Sequence, residues 1–185
     1  KTADRTDIHY TDDGAGPALV FTHSWGLNSG QWNQVIDHLA DKGFRCVAYD
    51  RRGHGGSGAY AGEWTVDLLA DDLAGLLEHL DLDDVTFVGH SLGCGEIVRY
   101  LSRHGTGRAH RAVLVAAQLP LLVQAPDNPD GVPEGMLNAM LADLESDVRQ
   151  WCIDNCPPFF GDHPVSSEMV DWTVDQIAAA PVETL

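Results

Sequence analysis

Four short apolar runs recur through the first 117 residues: Ala18 to Thr22, Cys46 to Tyr49, Val85 to Val88 and Ala112 to Ala117. None alternates apolar with polar residues as a half-solvated strand does, so each predicts a parallel strand covered on both faces. Between the runs the rhythm becomes helical. Trp32, Val35, Ile36 and Leu39 recur at i, i+3, i+4 and i+7 before Gly43, and Leu69, Leu73, Leu76, Leu77 and Leu80 do the same behind Thr65, a candidate N-cap. A third helix is expected from Leu92 to about His104, with Gly105 as its stop. Strand, helix, strand, helix implies right-handed crossovers, so the predicted fold class is α/β, a doubly wound and mainly parallel sheet. Residues Arg5 to Tyr10, ahead of the turn signal Asp12-Asp13-Gly14, are expected to add an edge strand.

After Leu119-Pro120 the character changes. Residues Ala125 to Pro133 hold three prolines, and beyond them come two helix-like stretches, roughly Glu134 to Cys152 and Val165 to Ala180, with no further strand-like run. The expected organisation is a core over residues 1–120 and a helical lid, or part of one, over residues 121–185.

Composition narrows the partners. With 28 acidic against 11 basic residues the net charge is -17, which repels phosphate backbones and anionic lipid, so neither nucleic acid nor membrane is expected as a partner. No run approaches membrane-spanning length. The four cysteines, Cys46, Cys94, Cys152 and Cys156, are scattered through a chain much larger than a disulfide-stapled scaffold. Cys152 and Cys156 are spaced to share one helix face, yet no second Cys or His pair completes a zinc site. Free thiols in a reducing, cytoplasmic compartment are the expectation.

The chemistry concentrates in Val85 to Glu96, "VTFVGHSLGCGE". Here Gly89-His90-Ser91-Leu92-Gly93 places a serine between an apolar strand and a helix, the context in which G-x-S-x-G presents a strained, exposed hydroxyl at the C-terminal edge of a sheet. Residues two either side of the serine must be small because strand and helix backbones nearly touch; Gly89 and Gly93 satisfy this, and Gly95 keeps the first helical turn slim. The alternative, that Ser91 merely caps the helix, needs no paired glycines. A nucleophile of this kind also needs two N–H donors for a developing oxyanion. The Leu92 amide supplies one, and the Trp25 amide, in the loop Phe21-Thr22-His23-Ser24-Trp25-Gly26, is the candidate for the second.

Three segments in order, "VFTHSWGLNSGQW", "AYDRRGHGGSG" and "VGHSLGCGE", resemble the N-terminal two-thirds of an α/β-hydrolase, closest to the cofactor-free haloperoxidase, perhydrolase and arylesterase branch. One departure is Ser24, where that family commonly has Gly after the loop histidine. The resemblance implies acyl transfer to water through a serine ester, with no metal or organic cofactor, and peracid formation as a side activity in some relatives. Relatives acting on haloalkanes or epoxides usually carry Asp where this chain has Ser91. The implied partner is a small ester or acyl substrate. Trp25 and the aromatic residues Trp151, Phe159, Phe160 and Trp172 are candidates to line an acyl or aryl pocket, ordinary packing of lid on core being the equal alternative for each lid residue.

Serine needs a histidine to take its proton and a carboxylate to orient that histidine, and in this fold the chain order is Ser, acid, His. Three histidines follow Ser91. A helix from Leu92 to His104 travels roughly 20 Å at about 1.5 Å per residue, which puts His104 and His110 at the opposite edge of the sheet. His163 lies within the lid beside Asp162, a sequence neighbour poorly placed to orient it. His23, His54 and His90 are expected to fix loops or pack. The family's acid and base follow strands that come after the lid, and no such strand is present here. The expectation is therefore a serine esterase-like enzyme whose acid and base come from residues outside this chain, a C-terminal segment or a second chain, and which is almost inactive as 185 residues alone. The competing reading is a non-catalytic module of the same fold that binds a small ligand or a protein partner.

Overall fold

A computed structural model describes Thr2 and residues 6–117, 119, 122–162 and 164–185. Arg5 and His163, and the expected boundary at residues 120 and 121, lie outside the described residues.

Five strands form one sheet in the order β1-β3-β2-β4-β5: β1 (Tyr10–Gly14), β2 (Ala18–Thr22), β3 (Arg45–Tyr49), β4 (Val85–His90) and β5 (Ala109–Val115). All neighbours run parallel except β1, which pairs antiparallel with β3. The apolar runs divide between the two faces with the period of 2 that strands impose. Leu19, Phe21, Cys46 and Ala48 face helix α1 (Asn33–Ala40), where Trp32 and Ile36 cover them. Val20, Val47, Tyr49, Val85 and Phe87 face the other way, toward Leu73, Leu77, Ile97 and Tyr100 of helices α2 (Val66–His79) and α3 (Leu92–His104). Thr65 caps α2 as its side chain accepts the Leu68 amide at 3.1 Å, and Gly105 follows α3 at φ +83°.

The chain leaves β2 toward β3 on one side and returns to β4 on the other. Strand order thus reverses between β2 and β4, and the loops leaving their C-terminal ends diverge around a crevice at that switch point. These are the loop beginning at His23 and the turn at Ser91.

The edges depart from the sequence expectation. The first strand is Tyr10–Gly14 rather than Arg5 to Tyr10, so Asp12 and Asp13 lie in a strand and not in a turn. An edge strand tolerates them: Arg45 of β3 grips the Asp12 carboxylate at 2.9 and 2.7 Å, and Gly14 (φ +80°) and Gly16 (φ +119°) make the reversal instead. The fourth run begins earlier, at Ala109, and is not covered on both faces. Val113, Leu114 and Val115 are 47, 40 and 44% exposed, and among the described residues no strand pairs with the outer edge of β5.

Beyond β5 the described residues contain helices and isolated bridges. The proline-rich stretch closes on itself through the pairs Val123–Val132 and Ala125–Asn128. The helix expected from Glu134 to Cys152 is two, α4 (Glu134–Ser146) and α5 (Val148–Asn155), because Asp147 leaves helical geometry at φ -159° and its carboxylate caps the second helix at Gln150. Helix α6 is Ser167–Ala179. Cys152, Cys156, Val174 and Ile177 form a small core of α5 and α6 that also takes in Trp25 and Leu27, so this helical layer rests on the loop after β2. No helix among the described residues is long and apolar enough to cross a membrane.

Leu73 is fully buried at the centre of the larger core. Leu73→Ala should lower unfolding free energy by about 2–5 kcal/mol, read from urea melts; a loss under about 1 kcal/mol would place that core elsewhere.

Candidate active site

Ser91 stands between β4 and α3 with φ +52° and ψ -116°, a region that non-glycine residues rarely occupy. Its neighbours show why the chain accepts this. A Cβ on Gly89 would come within 2.7 Å of Ile97 Cδ1 and 2.9 Å of the Gly93 backbone, and one on Gly93 within 2.5 Å of the Thr22 carbonyl. β2, β4 and α3 therefore converge with no room for a side chain at either position, and the turn between them is forced to be sharp. Thr22 Oγ1 donates to the Gly93 carbonyl at 2.9 Å and fixes the approach. The Ser91 amide donates to Val115 at 3.0 Å, and its side chain makes no capping bond to α3, which removes the helix-cap reading. Gly95 differs from expectation: a Cβ there would meet its nearest neighbour, Leu119, at 4.0 Å, so this position leaves space rather than relieving a clash.

That space belongs to a cavity of about 580 Å³ lined by Ser91, Trp25, Leu92, Gly95, Val98 and Leu119, among others, with Arg99 and Ser102 farther along α3. Trp25 and the serine thus share one cavity. Trp151 packs edge-on against Trp25 with ring centroids 5.8 Å apart, and does not line the cavity itself. Phe159 is 60% exposed, and neither it nor the half-buried Phe160 lines the cavity. Trp172 lies beside Gly30. Of the aromatic residues expected around the substrate, only Trp25 reaches this cavity. The others do not, because α5 and α6 pack with Trp25 and Leu27 of the loop after β2, away from the cavity-lining face of α3.

The amides of Leu92 and Trp25 donate no hydrogen bond among the described residues. The peptide before Trp25 is heavily held. The Ser24 amide donates to Gln31 Oε1 at 2.9 Å, and Gln31 Nε2 reaches His90 Nδ1 at 2.8 Å. The Ser24 carbonyl accepts from His23 Nδ1 at 2.8 Å and from Arg51 Nη1 at 3.2 Å. His23 is fully buried, and the Arg51 amide donates to its Nε2 at 3.0 Å, which leaves the ring proton on Nδ1. Burial, and after it the Arg51 charge, hold the His23 imidazole well below its ordinary value. Arg51 also donates to the His23 carbonyl and, through Nε, to Glu96 Oε2 at 2.7 Å. Glu96 in turn accepts from the Tyr49 hydroxyl. Burial pulls the Arg51 guanidinium down to about 9 and pushes the Glu96 carboxyl well up.

His23 fixes its loop as expected; sequence reasoning missed Arg51 and Glu96. The signal for the pair was Glu96 on the arc of α3 that also carries Gly93, Ile97 and Tyr100, with an arginine two residues after β3. Asp50 is its counterpart for the neighbouring loops, accepting from the amides of Ser29 and Gly56, both at 2.7 Å.

The remaining histidines fall where expected. His54 accepts or donates at the Arg52 carbonyl, 3.0 Å away, inside its own turn. His104 pairs with Asp71 at 2.7 Å and His110 with Asp84 at 3.1 Å. Asp84 precedes β4, so both lie at the N-terminal edge, opposite Ser91. The four cysteines are free and buried, and among the described residues no group of three or more His, Cys, Asp or Glu could hold a metal ion.

Residues 17–154 match the family described as alpha/beta hydrolase fold. The chain belongs to that family. Among curated proteins it is 43% identical over 159 residues to the non-heme chloroperoxidase CPO-A1 of Kitasatospora aureofaciens, covering 86% of this chain and 58% of that protein. It is 37% identical over 163 residues to a bifunctional esterase/perhydrolase of Acinetobacter calcoaceticus, covering 86% and 59%. Among solved structures a bromoperoxidase from Bacillus anthracis superposes with a TM-score of 0.91 at 32% identity, over 97% of this chain and 67% of the other. An esterase from Exiguobacterium antarcticum gives 0.92 at 25% identity, over 99% and 68%. The chain thus spans under two-thirds of the length of both curated relatives.

Two outcomes test this geometry. Gly93→Ala should destabilise by about 1–3 kcal/mol through overpacking, whereas Gly95→Ala should be neutral or stabilise by up to about 1 kcal/mol; equal effects in urea melts would contradict the asymmetry. His23 stays neutral in the fold while an unfolded histidine takes up a proton near 6.5, so on acidification the unfolded state binds more protons and stability falls. His23→Gln, able to repeat both side-chain hydrogen bonds, removes that contribution. The stability advantage of the wild type over it should shrink between about pH 7.5 and pH 5; a constant difference would mean that folded His23 takes up its proton like an unfolded one, and a growing one that it is charged when folded.

Proposed function

We propose that Ser91 is the nucleophile of a serine hydrolase that acts on a small ester or related acyl substrate. The observation that carries this reading is the left-handed, sterically enforced turn at Ser91, opening on the same cavity as Trp25. The Ser91 hydroxyl attacks the ester carbonyl carbon, its proton passing to a base, and the carbonyl oxygen becomes an anion received by the Leu92 and Trp25 amides. The intermediate collapses by breaking the bond to the alkoxy group, which leaves with a proton as the alcohol. Water then repeats the sequence on the serine ester and releases the acid. The apolar wall formed by Val98, Leu119 and Leu122 suits an alkyl or aryl group on the substrate.

The acid and base come from residues outside this chain, on a C-terminal segment or a second chain. Support comes from the histidines, since His23 and His54 are committed to loops and His104 and His110 to carboxylates at the far edge, and from the curated relatives, of which the matched region covers 58% and 59%. Residues 122–185 act as a lid over the cleft, and the exposed edge of β5 receives the next strand. The esterase/perhydrolase name of one relative supports peracid formation as a side activity of the same serine.

A fluorophosphonate probe followed by peptide mass spectrometry tests this. Label should fall on Ser91, be absent from Ser91→Ala, and form at least about 100-fold faster when the remaining part of the Kitasatospora chloroperoxidase is fused after Leu185, since a positioned base contributes about 10²–10⁴. No label on Ser91 even in the fusion would favour a binding module of this fold over an enzyme.

A further inference from the structure

The Trp25 N–H and the Ser24 carbonyl belong to one peptide unit. A trans peptide is planar, with its N–H and C=O antiparallel, so whatever fixes the carbonyl direction fixes the N–H direction. Two donors grip this carbonyl, His23 Nδ1 at 2.8 Å and Arg51 Nη1 at 3.2 Å, and Arg51 holds the preceding His23 carbonyl as well. Arg51 is itself held, 1% exposed, by Glu96 at 2.7 Å, and Glu96 sits on α3 five residues after Ser91. A continuous chain of buried contacts therefore runs from the helix behind the serine to the peptide plane of the loop opposite it. Hydrogen bonds to a carbonyl also polarise its amide, which strengthens the N–H as a donor.

Replacing a buried ion pair by apolar side chains is often neutral or stabilising, so stability alone gives this arrangement little reason to exist. What an apolar pair cannot do is orient a carbonyl.

We propose that Arg51, braced by Glu96 and aided by His23, is a positioning residue that aims the Trp25 N–H at the oxyanion formed on a Ser91 substrate. The inference rests on Ser91 as nucleophile and adds a cause for the loop's geometry. Arg51 touches no reacting atom. Its fork reaches two successive carbonyls and a carboxylate at once, which a lysine ammonium on its single stem does not.

Two readouts separate the parts. In ¹⁵N relaxation on the ¹⁵N-enriched protein without phosphonate, the Trp25 N–H should have the order parameter of rigid backbone, about 0.85, and fall below about 0.6 in Arg51→Lys, while Val20 and Phe21 of β2 stay unchanged. Phosphonylation of Ser91 in Arg51→Lys should slow by about 10- to 100-fold, approaching the loss of one oxyanion donor, and Ile36→Val, a core change on the opposite sheet face, should leave the rate within twofold. Glu96→Gln keeps an acceptor for Arg51 and should shift both readouts in the same direction by less; it decides the matter if Arg51→Lys does not fold. An undiminished Trp25 order parameter, or an equal loss in β2, overturns the proposal. So does a disordered Trp25 N–H with an unchanged phosphonylation rate. Phosphonylation is read in the chain fused to the remaining part of the chloroperoxidase; absence of phosphonate on Ser91 there refutes the nucleophile alone, and the relaxation data still judge the bracing.

Discussion

The structure depends on the contact of three backbones where Thr22, Gly89 and Gly93 meet. A methyl group on either glycine would need space already filled by backbone atoms 2.5 to 2.9 Å away. Because β2, β4 and α3 converge there, the chain between β4 and α3 has no gentle route, and Ser91 takes a conformation that a serine in an ordinary turn avoids. The same convergence places the switch point of the sheet beside that residue. Loop, hydroxyl and cavity are brought together by packing before any side-chain chemistry is considered.

Around this junction the protein buries charge where a simpler core would bury leucine. Arg51 and Glu96 are almost wholly removed from water, as are Arg52 and Asp72 one residue farther along, the latter pair joined at 2.6 Å by two parallel bonds. Each pair ties the end of β3 to a different helix, Arg51 to α3 and Arg52 to α2. Side chains of this length, fully paired, act as cross-braces between the loops at the C-terminal edge and the helices beneath. Asp50 completes the set by holding the backbones at Ser29 and Gly56. Three consecutive residues after a single strand thus organise the rim of the crevice.

The strands with both faces covered were legible because nothing but apolar sequence survives there, and β2 was located to the residue. Strands β1 and β5 were placed less well for the converse reason. At an edge, Asp12 finds Arg45, and His110 and Arg111 sit in a strand without cost, so the apolar pattern that defines a central strand is absent. The serine elbow was readable because its steric demand is written in paired glycines. The bracing of the opposite loop was not, because a glutamate is assigned by type to the outer face of a helix even where its spacing puts it on the inner arc, and local pattern takes no account of an arginine waiting across the core. The aromatic residues of the helical layer were visible as candidates only by type; which of them reaches the cavity is set by how α5 stacks on Trp25, information that lies in tertiary packing and not in local pattern.

The most direct measurement is a crystal structure of the protein carrying a phosphonate on Ser91. The account predicts the phosphoryl oxygen within about 2.7–3.1 Å of both the Trp25 and Leu92 nitrogens, with the Ser24 carbonyl still bonded to His23 and Arg51. A phosphoryl oxygen turned toward solvent, with neither amide in reach, would contradict it.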